Sequence, residues 1–120
     1  MRYMLLIASN PEANAAMTPA QQEQMFGDYA EFTKSIEASG EFVSGDPLEG
    51  LDTATTVRVR DGKRTTTDGP FAETKEVLAG YYIVEAASLD RALEIAAQIP
   101  DATTGSIEVR PIMHMDMPTA

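Results

Sequence analysis

From Arg2 to Ala8 the chain runs almost without a polar break, the pattern of a central strand covered on both faces. After a loop through Asn10-Pro11, apolar residues recur at three- and four-residue steps: Met25, Phe26, Tyr29, Phe32 and Ile36. That period predicts a first long helix, with Thr18 as N-cap, Pro19 in the first helical position, Gln21 completing a capping box and Gly40 as the left-handed stop. Phe42–Gly45 predicts a short strand, broken at Asp46-Pro47 and again at Gly50. Ala54–Arg60 alternates, with Val57 and Val59 on one side and Thr56, Arg58 and Arg60 on the other. Asp61-Gly62 then joins it to Lys63–Thr67, and Asp-Gly between β-prone runs predicts a hairpin with positive φ at both turn residues. Tyr81–Ala86 predicts another central strand. Ser88 caps a second helix with Asp90 in its first turn, a buried stripe of Leu89, Ala92, Leu93, Ala96 and Ile99, and Pro100 at its end. Ile107–Ile112 supplies the last strand.

With no internal repeat and no linker, this order predicts one domain over residues 1–112 and a tail over 113–120. Strand–helix–strand, hairpin, strand–helix–strand is the order of an α+β, ferredoxin-like split βαβ subunit carrying an extra β-hairpin. Right-handed crossovers put both helices on one sheet face. Met4, Leu6, Tyr82 and Val84, or their alternates, then point to the other face, and a second subunit is its expected cover.

Composition narrows the function. The chain has 120 residues, 19 acidic against 9 basic, for a formal charge of −10. Such a field repels phosphate backbones, so no nucleic-acid partner is expected. The one basic cluster, Arg58, Arg60, Lys63 and Arg64, brackets the hairpin turn, where charge serves solubility and edge protection. Cysteine is absent, which removes disulfides and thiolate chemistry. The apolar run at the start is too short for a membrane span of about 20 residues and reads as a buried strand, so the expected location is cytoplasmic. Phosphate-loop, dinucleotide, nucleophile-elbow and zinc-ligand patterns are all missing, and no metal or cofactor is expected.

Residues 68–82, Asp-Gly-Pro-Phe-Ala-Glu-Thr-Lys-Glu-Val-Leu-Ala-Gly-Tyr-Tyr, concentrate ionisable groups beside a stiff Gly-Pro corner. The corner is read either as a strand-end turn presenting Phe71 to the core or as a device aiming charge into a cleft. Lys75, among Asp68, Glu73 and Glu76, is either a solvated ion-pair partner or, once desolvated, a carboxylate- or phosphate-binding or acid–base group. Asp68 and Glu73 are the matching candidates for proton transfer. Tyr3, Tyr81 and Tyr82 alternate across the sheet, so at least one lines a cleft. His114 sits in the Met-rich tail and reads as a solvated side chain.

Asp68–Glu76 followed by Gly80-Tyr81-Tyr82 resembles the signature of the DGPF-domain branch of the YCII-related family. The resemblance extends to Tyr3–Leu6, Ala54–Arg58 and Glu108–Pro111. It implies a dimeric α+β barrel of ferredoxin-like subunits, and association with an extracytoplasmic-function sigma factor as an alternative role. The broader family's His and Asp pair has no counterpart here, because the single histidine lies in the tail. The resulting expectation is a homodimer whose cleft acts on or binds a small acidic or carbonyl metabolite. Asp68, Glu73 and Lys75 would carry the chemistry, with Tyr3, Pro70, Phe71 and Tyr81 contacting the ligand. A non-enzymatic accessory module acting through a protein partner is the second expectation.

Overall fold

The computed structural model describes residues 1–115. In chain order the elements are β1 (Arg2–Ser9), α1 (Pro11–Ala15), α2 (Pro19–Ala38), β2 (Phe42–Pro47), β3 (Thr55–Arg60), β4 (Lys63–Asp68), β5 (Val77–Glu85), α3 (Leu89–Ala97) and β6 (Ser106–Pro111). A four-stranded antiparallel sheet runs β2-β5-β1-β6, the strand order of a ferredoxin-like α+β fold, while β3 and β4 pair only with each other. The expected tail is described only as far as Met115; residues 116–120 lie outside the described residues.

Local chemistry sets the element ends. Gln21 N–H donates to Thr18 Oγ1 while Thr18 N–H donates to Gln21 Oε1, closing the capping box at α2. The stop after α2 is Gly40 at φ 78°, and the hairpin turn has Asp61 at 53° and Gly62 at 75°, as a type I′ turn requires. The loop expected after β1 contains a short helix instead. Asn10 Oδ1 accepts from the Glu12 and Ala13 amides and Pro11 fills the first turn, so α1 is held by its cap and buries no residue.

The core lies between the helices and one sheet face, with Leu5, Val84, Ile36, Ile95 and Ile99 fully buried. Tyr3, Leu5 and Ile7 of β1 stand opposite Val84, Tyr82 and Gly80 of β5 on this face. The other face carries Met4 opposite Ile83 and Leu6 opposite Tyr81. The expected grouping of Met4 and Leu6 with Tyr82 and Val84 is therefore corrected by the antiparallel register, which pairs even positions of β1 with odd positions of β5.

Both helical stripes also shift. In α3, Ala92, Ile95 and Ala96 are buried whereas Leu89 and Leu93 are exposed. In α2, Phe32 and Ile36 are buried but Phe26 is 78% exposed, because the N-terminal half of the helix stands away from the sheet. That separation makes room for the cleft described below.

A charged clasp ties the start of β2 to α3. Arg91 donates from Nε and Nη2 to the two carboxylate oxygens of Glu41, each at 2.8 Å, and Ser39 Oγ donates to Glu41 Oε1. The Arg91 hydrogen bond first, then that of Ser39, hold the Glu41 carboxyl down at about 2 from its ordinary 4.5. The clasp's contribution is present above pH 4.5 and fades as pH falls towards 2. Partly solvated, it is worth about 1 kcal/mol. Glu41→Gln should therefore lower stability at pH 7 by that amount and flatten the acid limb of the stability curve below pH 4.5, read by denaturant titration across pH.

Candidate functional site

Between the N-terminal half of α2 and the β5–β2 side of the sheet lies a cleft of about 590 Å³. That falls within the roughly 300–1,000 Å³ usual for small-molecule sites. Its walls are mainly apolar: Ile7, Met17, Met25, Phe26, Phe42 and Ala79. Tyr82 forms part of the floor, held edge-on by Phe32 at 5.1 Å and Phe42 at 6.3 Å between ring centroids.

The polar groups of the cleft converge from three elements. Tyr29 comes from α2, its hydroxyl donating to Asp101 Oδ2. Thr33, one turn further along α2, shares a 2.7 Å hydrogen bond with the Tyr82 hydroxyl of β5. Asp101 lies in the 3₁₀ turn Pro100–Thr103 after α3, where its backbone carbonyl accepts from Gly105 N–H at 2.8 Å. Only 6% of Asp101 is exposed, and its Oδ1 has no hydrogen-bond partner among the described residues. Asn14 Oδ1, on α1 at the same cleft, is likewise buried and unpartnered.

A buried carboxylate oxygen without a donor is costly, on the order of 1–3 kcal/mol or more for a charged group. Native interiors seldom keep such an atom without a purpose. Burial first, and then the hydrogen bond and charge of Asp101, push the Tyr29 phenol well above its ordinary range, so Tyr29 stays a neutral donor. Asp101 thus has one oxygen committed to the fold and a second that is buried without a donor.

A second groove of about 570 Å³ follows another side of α2, lined by Gln21, Gln24, Asp28, Glu31, Ser35 and Gln98. Neither of the two unpartnered buried oxygens lines it.

The residues singled out from sequence are placed differently. Asp68 ends β4, and Asp68, Pro70, Phe71, Glu73 and Lys75 are all solvent-exposed, Phe71 by 82%. None of the five lines the cleft. Of the two readings of the corner, the one that presents Phe71 to the core does not hold, since Phe71 is exposed; Gly69 before it sits at φ 100°, a conformation glycine favours. What the motif does locally is clamp the hairpin base: Gly69 N–H donates to Ala54 O, and Thr56 Oγ1 donates to Gly69 O at 2.7 Å. Tyr3 is packed into the core at 5% exposure and does not line the cleft. Tyr81 does border it, its hydroxyl donating to Asp46 Oδ2 at 2.8 Å and its own pKa raised by that bond.

Tyr29 and Asp101 were hidden from a reading of the sequence alone. Tyr29 has the spacing of a core position, and Asp101 follows a helix-ending proline, where acids are common. The available signal was an acid directly behind the apolar pair Ile99-Pro100.

The fold and cleft define an α+β protein of ferredoxin-like type with a pocket of small-molecule size. The chain belongs to the YCII-related family, whose domain model matches residues 1–116. It is 34% identical over 114 residues to an uncharacterized protein of Rhizobium meliloti (strain 1021), covering 93% of this chain and 92% of that one. Among solved structures it resembles 5-chloro-2-hydroxyhydroquinone dehydrochlorinase (TftG) from Burkholderia phenoliruptrix AC1100, determined in complex with 2,5-dihydroxybenzoquinone. That match has a TM-score of 0.57 and 14% identity over 96% of each chain, a likeness of fold. No helix among the described residues is long and apolar enough to cross a membrane.

Proposed function

We propose that the protein binds, and transfers a proton to or from, a small, largely apolar molecule carrying at least one hydroxyl or N–H group, in the cleft between α2 and the sheet. One observation carries this reading: the partnerless Oδ1 of Asp101, buried at a cleft of about 590 Å³ whose other walls are mostly apolar. A ligand hydroxyl would donate to Asp101 Oδ1, while Tyr29 holds Oδ2 and keeps the carboxylate from turning. Phe42, Tyr82 and Met25 would cover a ring. A fully ionised acid suits this site poorly, because it would meet the Asp101 carboxylate inside a chain of net charge −10. TftG acts, by its name, on a hydroxylated ring, and such a ring has the size and donor chemistry this cleft accommodates.

The acid–base role falls on Asp101 in this reading, with Asp68, Glu73 and Lys75 outside the cleft of their own chain. The functional unit is a homodimer with sheet faces apposed as in an α+β barrel. The support is the face bearing Met4, Leu6 and Ile83, which no helix covers and which is only partly buried.

Amide chemical-shift mapping with paired hydroxylated rings and their O-methyl ethers tests the assignment. Hydroxylated rings should perturb Tyr29, Thr33, Gly80 and Asp101, and the ethers should have far weaker effects. Equal response to both, or perturbation confined to residues 68–76, would sink it.

A further inference from the structure

The β3–β4 hairpin is an arm without a body. Among the described residues its strands pair only with each other, so no described strand lies beside the hairpin's outer edges. Val57 and Val59 are 56% and 59% exposed. An isolated two-stranded hairpin is marginal in water and needs a further strand or a helix to pack against. The arm also stretches the molecule: the radius of gyration is 16.7 Å, against about 14 Å for a compact chain of this length.

Charge separates the arm from the rest of the chain. Residues 55–68 hold four of the nine basic residues and two of the nineteen acids, a net +2, leaving −12 on the remainder. The surface most complementary to this arm is therefore one this protein itself presents. Across the hairpin Val57 pairs with Thr66 and Val59 with Arg64, so Val57, Val59 and Arg64 share one face. Helix α2 offers the matching surface, with Phe26 exposed at the cleft mouth and Glu23 one turn before it on the same side of the helix.

We infer that the hairpin arm docks on α2 of a second copy of this chain, with Val57 and Val59 against Phe26 of the partner subunit and Arg64 beside Glu23 of the partner subunit. This rests on the homodimer proposed above and goes beyond it, because each subunit then borders the other's cleft. The contact gives the hairpin the third layer it lacks and places opposite charges together in a pair that would otherwise repel at −10 each.

The absence of cysteine makes the test clean. Val57→Cys, labelled with a benzophenone maleimide, is mixed with ¹⁵N-labelled chain, equilibrated and irradiated. Mass spectrometry should find mixed-isotope adducts within residues 19–38. Adducts solely within one chain, or between chains but away from α2, overturn the arm contact and leave the dimer standing. Sedimentation as a monomer throughout the micromolar range overturns both. Arg64→Glu and Glu23→Lys alter exposed side chains that the fold does not need. Each should weaken dimerisation several-fold, and combining them should restore it. Equal dimerisation in all three would also overturn the contact.

Discussion

Gly105→Ala is expected to destabilise the fold by about 3 kcal/mol, near the upper end for overpacking. A Cβ at Gly105 would stand 2.0 Å from the backbone oxygen of Ala8 and 3.1 Å from Ser9 Cα. Neither is a flexible side chain, so relief requires the turn to move off β1. The same turn carries Asp101, whose carbonyl accepts from the Gly105 amide. The variant should therefore melt on the order of 10 °C lower at fixed protein concentration. In whatever fraction stays folded, the Tyr29–Asp101 bond should be disturbed, visible as a change in Tyr29 ring resonances. A wild-type melting temperature would mean that β1 and the turn do not approach so closely.

Asp101→Asn should separate binding from stability. The substitution keeps the shape and an acceptor for the Tyr29 hydroxyl but removes a buried charge that has a single side-chain donor. Removing such a charge is neutral or stabilising when shape is conserved. Affinity for a hydroxylated ligand should fall by about tenfold to a hundredfold, since a hydrogen bond to a charged group is worth about 1.5–3 kcal/mol. Tyr29→Phe has the opposite balance. It strips the last side-chain donor from a buried carboxylate, so it should cost about 1–3 kcal/mol of stability. Denaturant unfolding of both variants beside the wild type reads the contrast directly.

The framework of the fold was legible in the sequence because its determinants are local. Thr18, Pro19 and Gln21 specify a helix start whatever surrounds them, and Asp61-Gly62 specifies a tight turn by its own backbone preference. The unbroken apolar run of β1 predicts a strand but leaves its register open, and that register decides which face Tyr82 and Val84 occupy. The site was far less legible. Residues 68–76 stand out by charge density, yet in the fold they lie largely exposed at the base of the hairpin. Tyr29 and Asp101 are 72 positions apart and meet only in the tertiary fold, where α2 packs beside the turn after α3. Helical spacing suggests that Tyr29 is buried, but nothing near it in sequence shows that its hydroxyl meets an acid. Phe26 illustrates the same limit: its spacing is that of a core residue, while the tertiary gap makes it the mouth of a cleft.

Asp101 is proposed as the polar anchor of a small-molecule site. Calorimetric titration of one hydroxylated ring into wild type, Asp101→Asn and Lys75→Ala tests it most directly. Asp101→Asn should lose at least tenfold in affinity, and Lys75→Ala should bind as the wild type does. Undiminished binding by Asp101→Asn, with the loss appearing in Lys75→Ala instead, would overturn that assignment and move the site to the exposed segment between β4 and β5.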